Sequence, residues 1–99
     1  MNYDEFIDSL KKKDPPEISD CLRALWHEKN NHWEKAHSIA QDIHDPDGSW
    51  IHAHLHRVEG DEWNAQYWYA KADRKKPDIP VDEEWKTLLE YFLSKPDGE

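Results

Sequence analysis

The sequence predicts an all-α fold of five to six helices, arranged as antiparallel helical hairpins. Apolar residues recur at spacings of three and four residues, which places them on one face of a helix. No segment alternates apolar and polar residues with the period of two that marks a β-strand. Turns rich in proline, glycine and asparagine divide the chain into segments of ordinary helix length. We therefore expect a single helical domain over residues 1–99.

The composition argues against several classes of partner. The formal net charge of −9 opposes binding to phosphate backbones and to anionic membranes, so we expect neither a nucleic-acid nor a membrane partner. The acidic start MNYDEFIDSL lacks the basic and apolar regions of a signal peptide. A single cysteine cannot form an intrachain disulfide. These features together predict a cytoplasmic protein.

The first and last helices are predicted to cap the domain. The N-terminal helix, placed at 1–13, has Tyr3, Phe6, Ile7 and Leu10 on one face and ends in three lysines, which suit a helix C-terminus. The C-terminal capping helix is placed at 81–94. Its regular amphipathic stripe consists of Trp85, Leu88, Leu89, Phe92 and Leu93.

Two hairpins are predicted between these caps. The first spans 17–44 and turns at Asn30-Asn31; its second helix has a stripe of Trp33, Ala36, His37, Ala40, Ile43 and His44. The second hairpin spans 48–76. The segment Asp45-Pro46-Asp47-Gly48 is expected to form the turn before it, with a helix from about Ser49, and Gly60-Asp61 is expected to form its inner turn.

The two hairpins look like copies of one unit. Trp33 aligns with Trp63 and Ala40 aligns with Ala70, an offset of 63 − 33 = 30 residues. This offset is close to the roughly 34-residue period of tetratricopeptide repeats, in which each helical pair packs on its neighbours. The alignment predicts a tetratricopeptide-like arrangement, with Trp63 and Ala70 explained by packing.

The central stretch DGSWIHAHLHRVEGDEWNAQYWYA also resembles a known family. Its pattern D-G-x-W-x-H-A-x-L-H-R-x-E-G-D-x-x-N-A-x-Y-W-Y is similar to that of a family of small bacterial helical proteins, and the preceding WEKAHSIAQDI is similar too, so that the resemblance covers roughly half of the chain. The resemblance implies a helical fold and brings no catalytic residue with it. The matching positions are Asp47, Gly48, Trp50, His52, Ala53, Leu55, His56, Arg57, Glu59, Gly60, Asp61, Asn64, Ala65, Tyr67, Trp68 and Tyr69.

Three residues of the central helix could bind a metal. His52, His56 and Glu59 stand at i, i+4 and i+7, so their side chains share one helix face, and two imidazoles with a carboxylate suit zinc or another divalent ion. Polar side chains lining a groove are the alternative reading of the same pattern. His54 points to another side of the helix and is expected to be exposed.

The aromatic residues point instead to protein binding. Three consecutive aromatics at 67–69 spread around a helix, so at least one should reach a groove or a partner. The leading prediction is a noncatalytic adaptor that binds a protein, a peptide or a second copy of itself between the fourth and fifth helices. Its predicted binding residues are Trp50, His52, His56, Arg57, Glu59, Asn64, Tyr67 and Trp68.

The alternative function is a metal-binding protein or a metal-dependent hydrolase centred on His52, His56 and Glu59. Apart from zinc or a similar ion in that alternative, no cofactor is expected, because the isolated glycines form no phosphate-binding loop. Cys21, beside Leu22 and Leu25 in a predicted helix, is expected to be a core residue rather than a nucleophile.

Overall fold

A computed structural model describes residues 1–95 and shows six α-helices, with no β-strand in that range. The all-α fold of five to six helices is therefore confirmed. The last four residues of the predicted domain lie outside the described part of the chain. The helices are α1 (Tyr3–Ser9), α2 (Asp20–Lys29), α3 (Trp33–Gln41), α4 (Pro46–Val58), α5 (Glu62–Lys71) and α6 (Val81–Leu93).

The α2–α3 and α4–α5 pairs are joined by turns of the same geometry. Asn31 and Gly60 adopt left-handed backbone conformations, with φ of 63° and 87°. One residue further on, the amides of His32 and Asp61 donate to the carbonyls of His27 and His56, at 2.9 and 2.8 Å. Such a left-handed residue and hydrogen bond satisfy carbonyls that a helix end leaves free, and they reverse the chain.

These turns set a register that differs from the one expected from the sequence. The left-handed residues are 60 − 31 = 29 positions apart, not 30. Trp63 is 76% exposed and Ala70 is exposed, so the expectation that both are explained by packing is wrong. In the register of 29, Ala36 of α3 corresponds to Ala65 of α5, and both are buried. Ala65, rather than Ala70, therefore faces the core from α5.

Helix α4 is the centre of the fold and packs against α2, α3, α5 and α6. A helix on the surface of a protein buries one stripe, whereas α4 buries residues on every side. Its buried residues are Gly48, Trp50, Ile51, His52, Ala53, His54 and Leu55. A polar side chain in the buried central turns must therefore find its hydrogen-bond partners inside the protein.

The close approach of the chain to the start of α4 explains why residue 48, in the segment Asp45-Pro46-Asp47-Gly48, is a glycine. This segment was predicted to be a turn before the helix, but the helix begins at Pro46, because Asp45 caps it by accepting a hydrogen bond from the Gly48 amide at 2.9 Å. A β-carbon on Gly48 would lie 2.0 Å from the Ile43 carbonyl oxygen. Only glycine lets the preceding chain pass this close to the helix.

The terminal helices cover the open ends of the core. Phe6 of α1 packs on Trp85 of α6 with ring centroids 6.1 Å apart. Helix α1 ends at Ser9 rather than at the predicted residue 13, because the amides of Lys11 and Lys12 bond to carbonyls three residues back, in a tightened turn that does not continue the helix. Within residues 1–95, no helix combines the length and the apolar character needed to cross a membrane.

Replacing Gly48 by alanine should destabilise the protein by about 1–3 kcal/mol, because the added methyl group collides with the backbone of Ile43. The free energy of unfolding in urea measures this loss. Ser49→Ala, one residue along the same helix, is the matched control and should change stability by less than about 0.5 kcal/mol. Equal stability of the two variants would contradict the close approach.

Candidate functional site

The eight residues predicted for the groove between α4 and α5 do not form one surface. His52, His56, Glu59 and Trp68 lie on the side of α4 that faces α3 and α5. The other four are dispersed. Trp50 and Arg57 contact groups near α6, Asn64 sits at the start of α5, and Tyr67 is 45% exposed on the outer face of α5.

A third histidine joins His52 and His56. His37 of α3 places its Nε2 2.8 Å from Nε2 of His52, and one ring nitrogen from each of His37, His52 and His56 lies within 4.8 Å of the other two. The ring centroids are 4.5 to 5.2 Å apart. We call this group the histidine cluster; it depends on the packing of α3 against α4.

Burial favours the uncharged forms of His52 and His37. His52 is 4% exposed, and burial together with the neighbouring His37 and His56 lowers its pKa to about 4. Burial and His56 also lower the pKa of His37 below its usual value. Neutral imidazoles retain a lone pair on one nitrogen, which is the form that binds a metal.

Two tryptophans hold the rings of the cluster in place. Trp68 of α5 stacks on His52 with centroids 3.9 Å apart, and Trp33 of α3 stacks on His37 at 4.8 Å and an interplanar angle of 11°. The Trp33 indole is itself fixed, since its Nε1 donates to the carbonyl of Leu55 at 2.8 Å. Both imidazoles therefore have restricted orientations.

Glu59 orients the third imidazole. Its Oε2 lies 2.6 Å from Nδ1 of His56, so a protonated Nδ1 donates to the carboxylate and leaves Nε2 with its lone pair free. Glu59 also forms a second group with His56 and Asp61, whose potential ligand atoms lie within 4.8 Å of one another. The three residues predicted as metal ligands thus all belong to these two groups, which share His56.

A cavity of about 380 Å³ adjoins the histidine cluster at His52. Trp68 and Lys71 line it from α5, and the start of α4 closes its other side. The Lys71 ammonium lies 5.1 Å from the centroid of the Trp68 ring. A small molecule in this cavity would meet the imidazoles of His44 and His52, the Trp68 indole, the Lys71 ammonium and the Asp45 carboxylate.

The remaining predicted groove residues have structural partners. Trp50 is 6% exposed and carries the Arg74 guanidinium 3.5 Å from its ring centroid. Arg57 donates to Oε1 of Glu84 at 3.1 Å. Asn64 donates to Asp61 at 2.6 Å at the start of α5. These contacts account for Trp50, Arg57 and Asn64 without a ligand.

His54, expected to be exposed, is fully buried, and this expectation is wrong. Its Nδ1 lies 2.7 Å from Glu84 of α6 and its Nε2 lies 2.8 Å from Glu28 of α2. Glu84 also accepts hydrogen bonds from Arg57 and from the Tyr69 hydroxyl. The reason is that the central turns of α4, from Trp50 to Leu55, are covered on all sides, so that no face is left for solvent at His54.

The carboxylates determine the charge of His54. Burial opposes the positive charge, but the hydrogen bonds to Glu28 and Glu84 outweigh it and raise the pKa of His54 to about 9. Burial likewise opposes ionisation of Glu84, yet the hydrogen bonds from His54 and Tyr69 lower its pKa. At neutral pH the buried network therefore contains an imidazolium between carboxylates.

Cys21 does not contribute a nucleophile. Burial, followed by the charges of Asp47 and Asp45, raises the pKa of its thiol to about 12. The thiolate is the reactive form of cysteine, and it is scarce at neutral pH when the pKa is this high. The partly buried side chain packs against the core, as the sequence predicts.

Comparisons of the chain with protein-family models, with curated proteins and with solved structures gave no match. Function must therefore be inferred from the side chains themselves. Sequence reasoning placed His37 on the inner stripe of α3 but did not connect it with His52, because the pairing of two helices is not encoded in the spacing within either one. The sequence signal for this site was the position of His37 on a largely apolar stripe, which places an imidazole against the neighbouring helix.

The His54 network predicts a pH dependence of stability. Because the folded-state pKa of about 9 exceeds the ordinary value of 6.5, the stabilisation is complete below pH 6.5 and is lost as the pH rises through 9. The loss should be on the order of 3 kcal/mol, at about 1.4 kcal/mol per pKa unit. Urea unfolding of the unmodified protein between pH 6 and 10 measures it.

The imidazole itself provides the check on this prediction. Proton NMR of the histidine rings should show His54 titrating near pH 9, far above the ordinary histidine value of about 6.5. A His54 resonance that titrates near pH 6.5, or a stability that is flat from pH 6.5 to 9, would contradict the assignment.

Proposed function

We propose that this protein binds a divalent metal ion, with zinc as the best match, through His37, His52 and His56. One observation carries the proposal: a ring nitrogen from each of the three lies within 4.8 Å of the others, across two packed helices. Imidazole nitrogen is a preferred zinc ligand, and three such ligands are a common protein contribution to a zinc site.

The distance between the ligand atoms of His37 and His52 fits this ion with a small movement of the two side chains. Zinc–nitrogen bonds of about 2.0–2.1 Å in a tetrahedral arrangement put the ligand nitrogens about 3.3 Å apart. The Nε2 atoms of His37 and His52, now 2.8 Å apart, would have to separate by about half an ångström. The ring that now donates the shared Nε2 proton would carry that proton on Nδ1 instead, so that both Nε2 lone pairs could face the ion.

The surroundings support the same proposal. Metal-binding histidines usually donate their second ring N–H to a carboxylate, which orients the ring and makes the other nitrogen more basic. Glu59 stands in this relation to His56. Three protein nitrogens leave a fourth position for water, whose pKa a zinc ion lowers to about 7. A metal-dependent hydrolase is therefore compatible with this site, with the cavity beside His52 as the place for a substrate.

Calorimetric titration of the untagged, metal-free protein with zinc should give one high-affinity site per chain. His37→Ala and His56→Ala should abolish it, because each removes one of three ligands. Glu59→Ala should weaken binding about 10- to 100-fold, because it removes only the group that orients His56. His32→Ala, which replaces an exposed histidine outside the cluster, is the control and should bind as tightly as the unmodified protein.

The His37→Ala variant also separates two forms of the hypothesis. Suppose that His37→Ala binds zinc normally while His56→Ala and Glu59→Ala do not. The ion is then held either by His52, His56 and Glu59, as the sequence predicts, or by His56, Glu59 and Asp61. Absence of stoichiometric binding to the unmodified protein would contradict metal binding altogether. Circular dichroism melting of each variant guards against loss of the fold.

A protein-binding role is the second candidate, and the outer face of α5 favours it. Trp63 is 76% exposed and Tyr67, one turn later, is 45% exposed, so that two large aromatics lie side by side in solvent. Exposed neighbouring aromatics are typical of interfaces, where they supply area and a polar atom. The predicted adaptor surface would then lie on the outside of α5 rather than between α4 and α5.

Self-association through this face is directly measurable. Sedimentation equilibrium of the unmodified protein up to about millimolar concentration should show a dimer with Kd below that concentration if a second copy is the partner. Trp63→Ala should abolish the dimer without lowering stability, because the side chain is exposed. A purely monomeric protein would remove this partner, and an unaffected dimer in Trp63→Ala would move the interface elsewhere.

A further inference from the structure

A second cavity, of about 390 Å³, lies where the ends of α2 and α4 meet the starts of α3 and α6. It is independent of the histidine ligands, none of which lines it. The residues that matter for its chemistry are Glu28, Lys29, Trp33, Val58, Asp82 and Trp85. It therefore combines carboxylates with indole rings.

The carboxylate of Glu28 has an unused acceptor. Its Oε2 lies 2.8 Å from the His54 imidazole, whereas Oε1 is buried and has no hydrogen-bond partner among residues 1–95. Leaving a charged acceptor buried and unpaired costs more than leaving a neutral one. Because Oε1 is covered, a donor in the cavity reaches it only after a neighbouring side chain moves, and the oxygen then favours a molecule that brings an N–H or O–H donor.

The rest of the cavity selects for positive charge. The Lys29 ammonium lies 4.7 Å from the centroid of the Trp85 ring, so a cation already occupies the face of this indole. Asp82, at the exposed start of α6, adds a second carboxylate. Glu28 is already paired with the His54 imidazolium, whereas Asp82 loses the one cation of the lining when Lys29 leaves, so that the lining then disfavours an anionic ligand.

We propose that this cavity binds an alkylammonium group, either of a free amine or of a lysine side chain. Oε1 of Glu28 accepts a hydrogen bond from the ammonium, Asp82 adds charge attraction at the rim, and the indoles of Trp33 and Trp85 cover the methylene groups. Lys29 moves from the Trp85 ring into solvent, where its exposed position allows it to go.

The test is a titration of the full chain with n-butylammonium chloride, followed by the indole N–H signals of Trp33 and Trp85 in nitrogen-15 NMR spectra. Saturable shifts with a Kd on the order of 1–10 mM are expected for so small a ligand. At constant ionic strength, n-butanol and sodium butyrate should bind at least about tenfold more weakly, since the charge-assisted hydrogen bond is missing. Equal binding of n-butanol, or no saturable shift with n-butylammonium, would overturn the proposal.

Variants assign the charge recognition to named groups. Glu28→Gln keeps an oxygen for His54 but puts an amide group in place of the free acceptor, and it should weaken n-butylammonium binding about 10- to 100-fold. Asp82→Asn should weaken it about two- to fivefold. Lys29→Ala should strengthen it, because the competing ammonium is gone. Asp42→Asn, an exposed carboxylate at the far end of α3, is the control.

If Glu28→Gln fails to fold, the variants Asp82→Asn and Lys29→Ala still test the proposal. Unchanged affinity in both Asp82→Asn and Lys29→Ala, relative to Asp42→Asn, would mean that the shifts arise elsewhere, which contradicts the proposal. Nα-acetyl-lysine methylamide distinguishes the two sources of the ammonium group. Tighter binding than n-butylammonium indicates a lysine of a protein, and weaker binding indicates a free amine; both carry the proposed chemistry.

Discussion

The fold depends on the pairing of His54 with two carboxylates inside the protein. The central turns of helix α4 are covered on all sides, so that His54 cannot form hydrogen bonds with water there. His54 meets this constraint by contacting Glu28 of α2 and Glu84 of α6. A buried ion pair favours one packing of the helices that carry it, because any packing that separates the partners leaves a buried charge unpaired. The imidazolium thereby fixes how α2 and α6 sit around α4.

The fold class was predictable because it depends on periodicity and turn chemistry within short segments. The capping stripe containing Trp85, Leu88 and Leu89 is buried as its spacing predicts. The start of α4 was misplaced because Asp-Pro-Asp-Gly suits a turn and also suits the first residues of a helix capped by Asp45. Only the carbonyl of Ile43, packed against Gly48, distinguishes the two.

The arrangement of side chains between helices was much less predictable. An error of one residue in aligning the hairpins turns a helix by about 100°. It accounts for the exposure of Trp63, which the alignment had packed inside. The clustering of His37 with His52 could not be read from the sequence, since their 15-residue separation has meaning only after α3 is placed against α4. His54 was misjudged for the same reason, because its two carboxylates come from distant parts of the chain.

Three indoles donate to main-chain carbonyls of other segments: Trp26 to Ser9, Trp33 to Leu55 and Trp85 to Leu25. Each links a different pair of elements by a group that phenylalanine and tyrosine lack at that position. These tryptophans are consequently built-in spectroscopic probes. The indole N–H proton signal of Trp26 follows the contact of α1 with α2, that of Trp33 follows the contact of α3 with α4, and that of Trp85 follows the contact of α6 with α2. The order in which the helices separate during unfolding can therefore be followed by NMR without an added fluorophore.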